Sequence, residues 1–315
     1  MIKNVIGLFP GQGSQFVGMG KYLFENFDIA KKIFEEASDA ISVDLKKLCF
    51  NSDEEALALT ENTQPALVTV SSATWSVLKT EFDIQYKYLA GHSVGEYSAL
   101  VAAEVISFSD AVKSVKKRGQ LMQSAVPVGE GGMIAVLGLS VEQVNFLCKW
   151  AHEKTNAVIE PANYNSPGQV VISGSMKAIK YIMDECKKEM FPEPPKRLKL
   201  IPLKVSAPFH CSLMLPAQEK MAEFLDSIEF ASPKTSIIQN VTAKAETDVK
   251  EIKANIIKQL SAPVLWEQSL NSIADISEHL FFEIGPGKVI SGLVKKTLGV
   301  GVTSFNSIDD IKSLG

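Results

Sequence analysis

The run "YKYLAGHSVGEYSALVAAEVI", residues 86–106, constrains the fold more than any other stretch of the chain. Tyr86 to Ala90 reads as a short, mostly apolar strand, and the residues after Ser93 turn helical. Nothing but a glycine-bounded turn separates the two. Gly91-His92-Ser93-Val94-Gly95 fits the pattern G-x-S-x-G, in which a sharp strand-to-helix turn crowds its neighbours and pushes the central side chain outward. The helix that follows aims free N–H groups and its positive end at the same spot. Two readings stand at this point: Ser93 is a nucleophile held at the tip of the turn, or a hydroxyl that merely begins a helix.

The rest of the chain repeats the alternation of strand and helix. Val5 to Phe9 is a buried strand ended by Pro10-Gly11, and "KYLFENFDIAKKIFEEASDAI" and "QPALVTVSSATWSVLKTEF" both carry helical spacing. A helix is predicted over Asp110 to Gln123 with Ser109 as its N-cap. After the flexible junction "PVGEGG" the pattern changes. A strand Met133 to Leu137, a helix Val141 to Lys154, a hairpin of "AVIEPAN" and "QVVISG" through "YNSPG", a helix in "KAIKYIMDECKKEM" and a strand "LKLIPLKV" follow. That β-α-β-β-α-β order is the ferredoxin-like pattern. Further on, "TSIIQNVT", "HLFFEIGPG" and "GVTSF" are strand candidates between helices. The expected fold is therefore α/β: an α/β-hydrolase-like core with a mostly parallel sheet, formed by residues 1–128 and 206–315, and an inserted ferredoxin-like subdomain, 129–205.

Composition removes several classes. With 46% apolar and 22% charged residues the chain is globular rather than disordered. A net charge of −4 without a basic block gives no footprint for nucleic acid. The N-terminal apolar run breaks at Pro10 and lacks the longer stretch and cleavage site of a signal peptide, and no membrane span is visible. Cys49, Cys148, Cys186 and Cys211 lie far apart with no CxxC pair, so reduced thiols in a cytoplasmic protein are expected and no metal site is.

A serine nucleophile needs a base. Of four histidines, His92 adjoins Ser93 and suits a role in shaping the pocket, His152 lies among charged residues, and His279 opens an apolar strand. His210, in "SAPFHCSLM", sits where the chain leaves a strand for a helix, which makes it the best candidate. An oxyanion site needs an N–H donor besides that of Val94. The turn "PGQGSQ", Pro10 to Gln15, could offer one or could be only a tight turn; it lacks the Lys-Ser/Thr pair of a phosphate loop. Arg118 lies among Val115, Leu121 and Met122 on the next helix. If it points inward it requires an anionic partner, either a ligand carboxylate or phosphate, or a salt bridge to one of the chain's 36 acidic residues.

Taken in order, "FPGQGSQ", "TQPAL", "GHSVGEYSAL", "KRGQLMQ", "NSPGQVVISG", "APFHCSLM" and "FFEIGPGKVISGL" resemble the malonyl-CoA:acyl carrier protein transacylases of fatty acid synthesis, over nearly the whole chain. Acyltransferase domains of polyketide synthases look similar. The resemblance implies Ser93 as nucleophile, His210 as its base and the backbone N–H groups of Gln12 and Val94 as the oxyanion hole. It implies that Arg118 grips a malonyl carboxylate, and that the main-chain carbonyl of Gln259 orients the histidine in place of an acid. Gln64 and Asn163 match pocket-lining positions, and Phe209 with Val94 fits a malonyl-selective rather than a methylmalonyl-selective pattern.

The implied reaction is a two-step transfer. Malonyl passes from coenzyme A to Ser93, then to the phosphopantetheine thiol of acyl carrier protein, with His210 as base in both steps and no cofactor. Malonyl-CoA and the carrier protein are the expected partners of a monomeric enzyme. An acidic carrier would favour a basic rim, for which Lys116, Lys117, Lys187 and Lys188 are candidates. Two rival readings are a serine hydrolase on the same elbow and a non-catalytic carrier-binding module.

Overall fold

Val5, Ile6, Leu8 and Phe9 are fully buried, and they form the inner end of strand β1 (Ile2–Phe9). In the computed structural model, which describes residues 1–205, 207–273 and 275–315, this strand lies inside a sheet. Among the described residues the strands make two sheets. The larger runs in the order β10 (Thr303–Ser304), β9 (Leu280–Glu283), β1, β2 (Ile84–Gly91), β7 (Ile237–Ile238) and β8 (Ala245–Glu246). All its pairings are parallel except that of β7 with β8.

Successive side chains on a strand face opposite sides. Val5, Phe9, Leu89 and Phe282 accordingly join one apolar cluster, and Ile6, Leu8, Ala90 and Phe281 join another. Covering both faces is what a parallel sheet requires, and it explains why its central strands read as near-continuous apolar runs. The helix Thr60–Glu81, buried along most of its length, packs into the first cluster.

The smaller sheet is antiparallel, in the order β4 (Ile159–Ser166), β5 (Gln169–Ser175), β3 (Gly131–Leu137) and β6 (Lys199–Pro202). Helices Val141–Thr155 and Met176–Glu185 follow β3 and β5, which completes the βαββαβ chain order. Its core of Ile134, Val136, Val144, Leu147, Ile172 and Ile182 is separate from the other two. Residue 206, where the second core segment was expected to begin, lies outside the described residues.

Several local expectations need correction. The helix after the elbow helix spans Phe108–Ser124, and its N-cap is Ser107, whose hydroxyl accepts from the Asp110 N–H; the Ser109 hydroxyl bonds Glu36 instead. The hairpin turn is Pro167-Gly168 alone, because Tyr164, Asn165 and Ser166 stay in β4. Of "TSIIQNVT" only Ile237-Ile238 pair as a strand, since the side chains of Gln239 and Asn240 are engaged in buried polar contacts described below.

Two contacts tie β4 of the smaller sheet to segments outside either sheet, one of them the turn just past His210. Asn163 bridges Val264, with backbone bonds from Tyr164 N–H to the Val264 carbonyl and from Val264 N–H to the Ala162 carbonyl. Glu160 on β4 accepts from both the N–H and the hydroxyl of Ser212, two residues past His210.

Candidate active site

Ser93 occupies the turn between β2 and the helix Gly95–Ala102, with φ at +52°. A left-handed backbone is unusual for a residue with a side chain and is held only where its surroundings enforce it. The glycines on either side allow the close approach. A Cβ on Gly91 would lie 2.0 Å from the Gly95 carbonyl, and one on Gly95 would lie 2.3 Å from the carbonyl oxygen of Phe9. Asn240 clamps the bend from beneath: its Oδ1 accepts from the Ser93 N–H at 2.7 Å and its Nδ2 donates to the Gly91 carbonyl at 2.7 Å.

His210 meets this serine across the fold. Ser93 Oγ and His210 Nε2 are 2.7 Å apart, and His210 Nδ1 lies 2.8 Å from the main-chain carbonyl of Gln259. A carbonyl can only accept, so Nδ1 carries the proton and Nε2 is left to take the one from the serine hydroxyl. His210 also has a positive φ, +59°. It is 3% exposed, and its pKa is pushed down to about 3, first by burial and then by the charge of Arg118. The free imidazole is thus neutral and proton-accepting.

Arg118 is 1% exposed. Its NH1 donates to Gln64 Oε1 at 2.9 Å, and its NH2 donates to Gln259 Oε1 at 3.0 Å and to Ser93 Oγ at 3.2 Å. Nε has no hydrogen-bond partner among the described residues. The salt bridge that the sequence left open is not what holds this side chain; amides and a hydroxyl do. Its hydrogen-bond partners are all neutral and the buried Glu96 carboxylate acts on it only through space, so a carboxylate in direct contact would still be favoured.

These groups line a cavity of about 90 Å³. Ser93, Val94, Gln12, Arg118, Gln64 and His210 contribute its polar and backbone side, and Asn163 and Phe209 line it from β4 and the His210 loop. The His92 N–H donates to the Phe9 carbonyl at 3.0 Å, keeping the glycine turn that carries Gln12 beside the elbow. His92 itself points Nε2 at Asn165 Oδ1, 2.8 Å away, packs its ring on Trp266 and also lines the cavity. His152 and His279 lie elsewhere, against the carbonyls of Ala157 and Asn4. All nine expected site residues therefore converge on the cavity or on His210. Sequence reasoning missed Met122, Met133, Leu203 and Val205 in the lining, and it missed Asn240 and Glu96. The signal for Glu96 was available: it is a lone carboxylate near the start of a helix that is otherwise uncharged.

Among the described residues no three His, Cys, Asp or Glu side chains are grouped to hold a metal ion, and no helix is long and apolar enough to cross a membrane. All four cysteines are free thiols.

An α/β sheet with a serine elbow, an imidazole and a buried guanidinium in one small cavity defines an acyl-transfer architecture, and the chain belongs to the acyl transferase domain family, which matches residues 7–313. Among its relatives is the malonyl CoA-acyl carrier protein transacylase of Bacillus subtilis (strain 168), 47% identical over 94% of this chain and 90% of that protein. A solved acyl carrier protein S-malonyltransferase from Vibrio cholerae O1 biovar eltor superposes with a TM-score of 0.92 at 41% identity, covering 99% of this chain and 100% of that one. A malonyl-transacylase solved in complex with its type II PKS acyl-carrier protein superposes with a TM-score of 0.92 at 39% identity, covering 98% of both chains.

Proposed function

We propose that this protein moves a malonyl group from coenzyme A to the phosphopantetheine thiol of an acyl carrier protein, through a malonyl ester on Ser93. The observation that carries the reading is a buried guanidinium within hydrogen-bonding distance of a serine hydroxyl that also meets an imidazole. The naming of the relatives as malonyl transferases supports the same substrate.

In the loading step His210 Nε2 takes the Ser93 proton, Oγ bonds to the thioester carbon, and the carbonyl electrons move onto oxygen. The N–H groups of Gln12 and Val94 are the proposed donors to that oxyanion, a kind of contact that supplies a large share of catalysis in such sites. The intermediate then collapses, the C–S bond breaks, and the protonated His210 returns its proton to the coenzyme A thiolate. The second step runs the same route with the carrier thiol as nucleophile. Both steps are proton and acyl transfers, so the proposed reaction calls on no redox cofactor. Arg118 pairs with the free carboxylate of the malonyl group, while Gln64, Asn163 and Phe209 shape the space around it.

Docking of an acidic carrier is assigned to exposed basic groups. Lys116 is already paired with Glu61 at 3.1 Å. Lys188 donates to the Lys196 carbonyl at 2.9 Å and, with Arg197, Lys199 and Lys296, lines an open cavity of about 670 Å³ that is a second candidate docking surface. Carrier transfer that weakens with added salt would support it. The reading also places the enzyme in the cytoplasm as a monomer.

The test is mass spectrometry of the protein incubated with malonyl-CoA alone. One malonyl group on Ser93, stable until carrier protein is added, is expected, and Ser93→Ala should carry none. Continued release of malonate without carrier would make the enzyme a hydrolase, and absence of any adduct would remove the acyl-serine reading.

A further inference from the structure

Gln259 touches the base, the guanidinium and the backbone of the nucleophile, and its side chain also meets a carboxylate that the transfer chemistry does not use. The backbone carbonyl of Gln259 holds His210, its Oε1 accepts from Arg118, and its Nε2 lies 3.0 Å from the Ser93 carbonyl and 3.1 Å from Asn240 Oδ1. The same Nε2 donates to Glu96 Oε2 at 2.7 Å. Glu96 Oε2 also accepts from the Asn240 N–H at 3.1 Å, and Oε1 accepts from Gln239 Nε2 at 3.2 Å. Glu96, Gln239, Asn240 and Gln259 are all 1% exposed or less.

An amide side chain has nearly the same shape either way round, so its neighbours decide which end carries the oxygen. For Gln259 the neighbours are opposite in character: a donor guanidinium on one side, and on the other three acceptors, of which the Glu96 carboxylate is the nearest and the only charged one. Reversed, the amide would set oxygen against the carboxylate and NH₂ against Arg118. Asn240, which clamps the Ser93 bend, hangs from the same carboxylate oxygen through its backbone.

We propose that Glu96 is a positioning residue for acyl transfer: its carboxylate fixes the polarity of the Gln259 amide and the seat of Asn240, and through them aligns His210, Arg118 and the backbone of Ser93. The inference rests on Ser93 and His210 being the reacting pair. Burial raises the pKa of Glu96 to about 7, against the pull of its three amide donors and the charge of Arg118, so a test at pH 8 keeps it mainly ionised.

The experiment measures single-turnover loading of Ser93 from malonyl-CoA at pH 8, together with the low-field proton resonance of His210 Nδ1–H and the thermal midpoint. Glu96→Ala should slow loading by about tenfold or more, the equivalent of one charge-assisted hydrogen bond, with kcat falling more than KM rises and the His210 resonance displaced. Glu96→Gln keeps one oxygen for both bonds now made to Oε2 but sets its NH₂ against Gln239 Nε2, so it should recover loading in part, to a rate between those of Glu96→Ala and the wild type. Gln259→Met keeps the backbone carbonyl but lacks the amide, and combining it with Glu96→Ala should add little further loss, as expected for residues acting as one unit.

A folded Glu96→Ala protein that loads at the wild-type rate would overturn the proposal. So would an unmoved His210 resonance, or additive losses in the double variant. If Glu96→Ala fails to fold, Glu96→Gln and Gln259→Met carry the comparison. A wild-type protein that never loads Ser93 defeats the transfer reading instead, while the His210 resonance still reports on Glu96.

Discussion

Arg118 donates to Ser93 Oγ at 3.2 Å from the same nitrogen that donates to Gln259 Oε1 at 3.0 Å. The group proposed to recognise the substrate carboxylate is thus in contact with the nucleophile before substrate arrives. A carboxylate entering the cavity competes for that nitrogen and offers full negative charge in direct contact, where the protein's own hydrogen-bond partners are neutral and Glu96 acts only through space. Recognition and release of the serine are then one event, and an acyl group without a carboxylate gains neither.

Arg118→Ala should therefore lower kcat/KM for malonyl-CoA by about a hundredfold, in line with losing one or two charge-assisted hydrogen bonds. Loading from acetyl-CoA should be spared or raised. Parallel measurement of the two substrates checks this, and equal losses on both would remove the assignment.

His210 leads to a prediction about pH. An ordinary imidazole, with a pKa near ~6.5, would be only about one-tenth neutral at pH 5.5. Burial and the charge of Arg118 hold His210 far below that range. In the Glu96→Gln variant, which removes the buried carboxylate that titrates in this window, single-turnover loading should fall less than about threefold between pH 7.5 and 5.5, and a tenfold fall would contradict it.

Stability follows the same shifts, with opposite signs at two groups. For His210 the folded pKa is depressed, so its contribution is present above 6.5 and is lost as pH falls toward about 3. For Glu96 it is raised, so its contribution is present below 4.5 and is lost as pH rises toward about 7. The two oppose each other between 4.5 and 6.5. Thermal midpoints should consequently change little from these groups across that window and decline below it. Replacing His210 with alanine should lessen the acid decline.

Asn240→Ala should strip two backbone groups, the part-buried Ser93 N–H and the buried Gly91 carbonyl, of a partner at once. At roughly 1–3 kcal/mol for an unsatisfied buried group, and toward the lower end for the part-buried N–H, a loss of about 2–4 kcal/mol in unfolding free energy is expected. Denaturant titration measures it, and loading should slow with it because the bend is no longer held.

The strand-turn-helix around Ser93 and the βαββαβ order were legible because long apolar runs, glycines and helical spacing are local signals. The position of His210 opposite Ser93 was legible only as a preference, since 117 residues separate them. The family motifs, not spacing, pointed to Gln259. Glu96 left a local signal, a lone carboxylate in an otherwise uncharged helix, but Asn240 stayed hidden for a physical reason: β7 has only two paired residues, too few to show alternation, and the value of Asn240 depends on a carboxylate 144 positions away. Arg118 was ambiguous because a helix position says that a cation is buried and not what it faces.

A cavity of about 90 Å³ is small beside the ~300–1,000 Å³ of pockets that take drug-sized ligands. Only a short acyl chain can lie under the serine; the nucleotide and pantetheine arm must stay outside. The enclosure is thereby a length filter on carbon units, and its least rigid walls are Met122 and Met133, whose thioethers repack most readily. Trimming either of them is the natural route to admitting a longer diacid into whatever polymer the enzyme feeds.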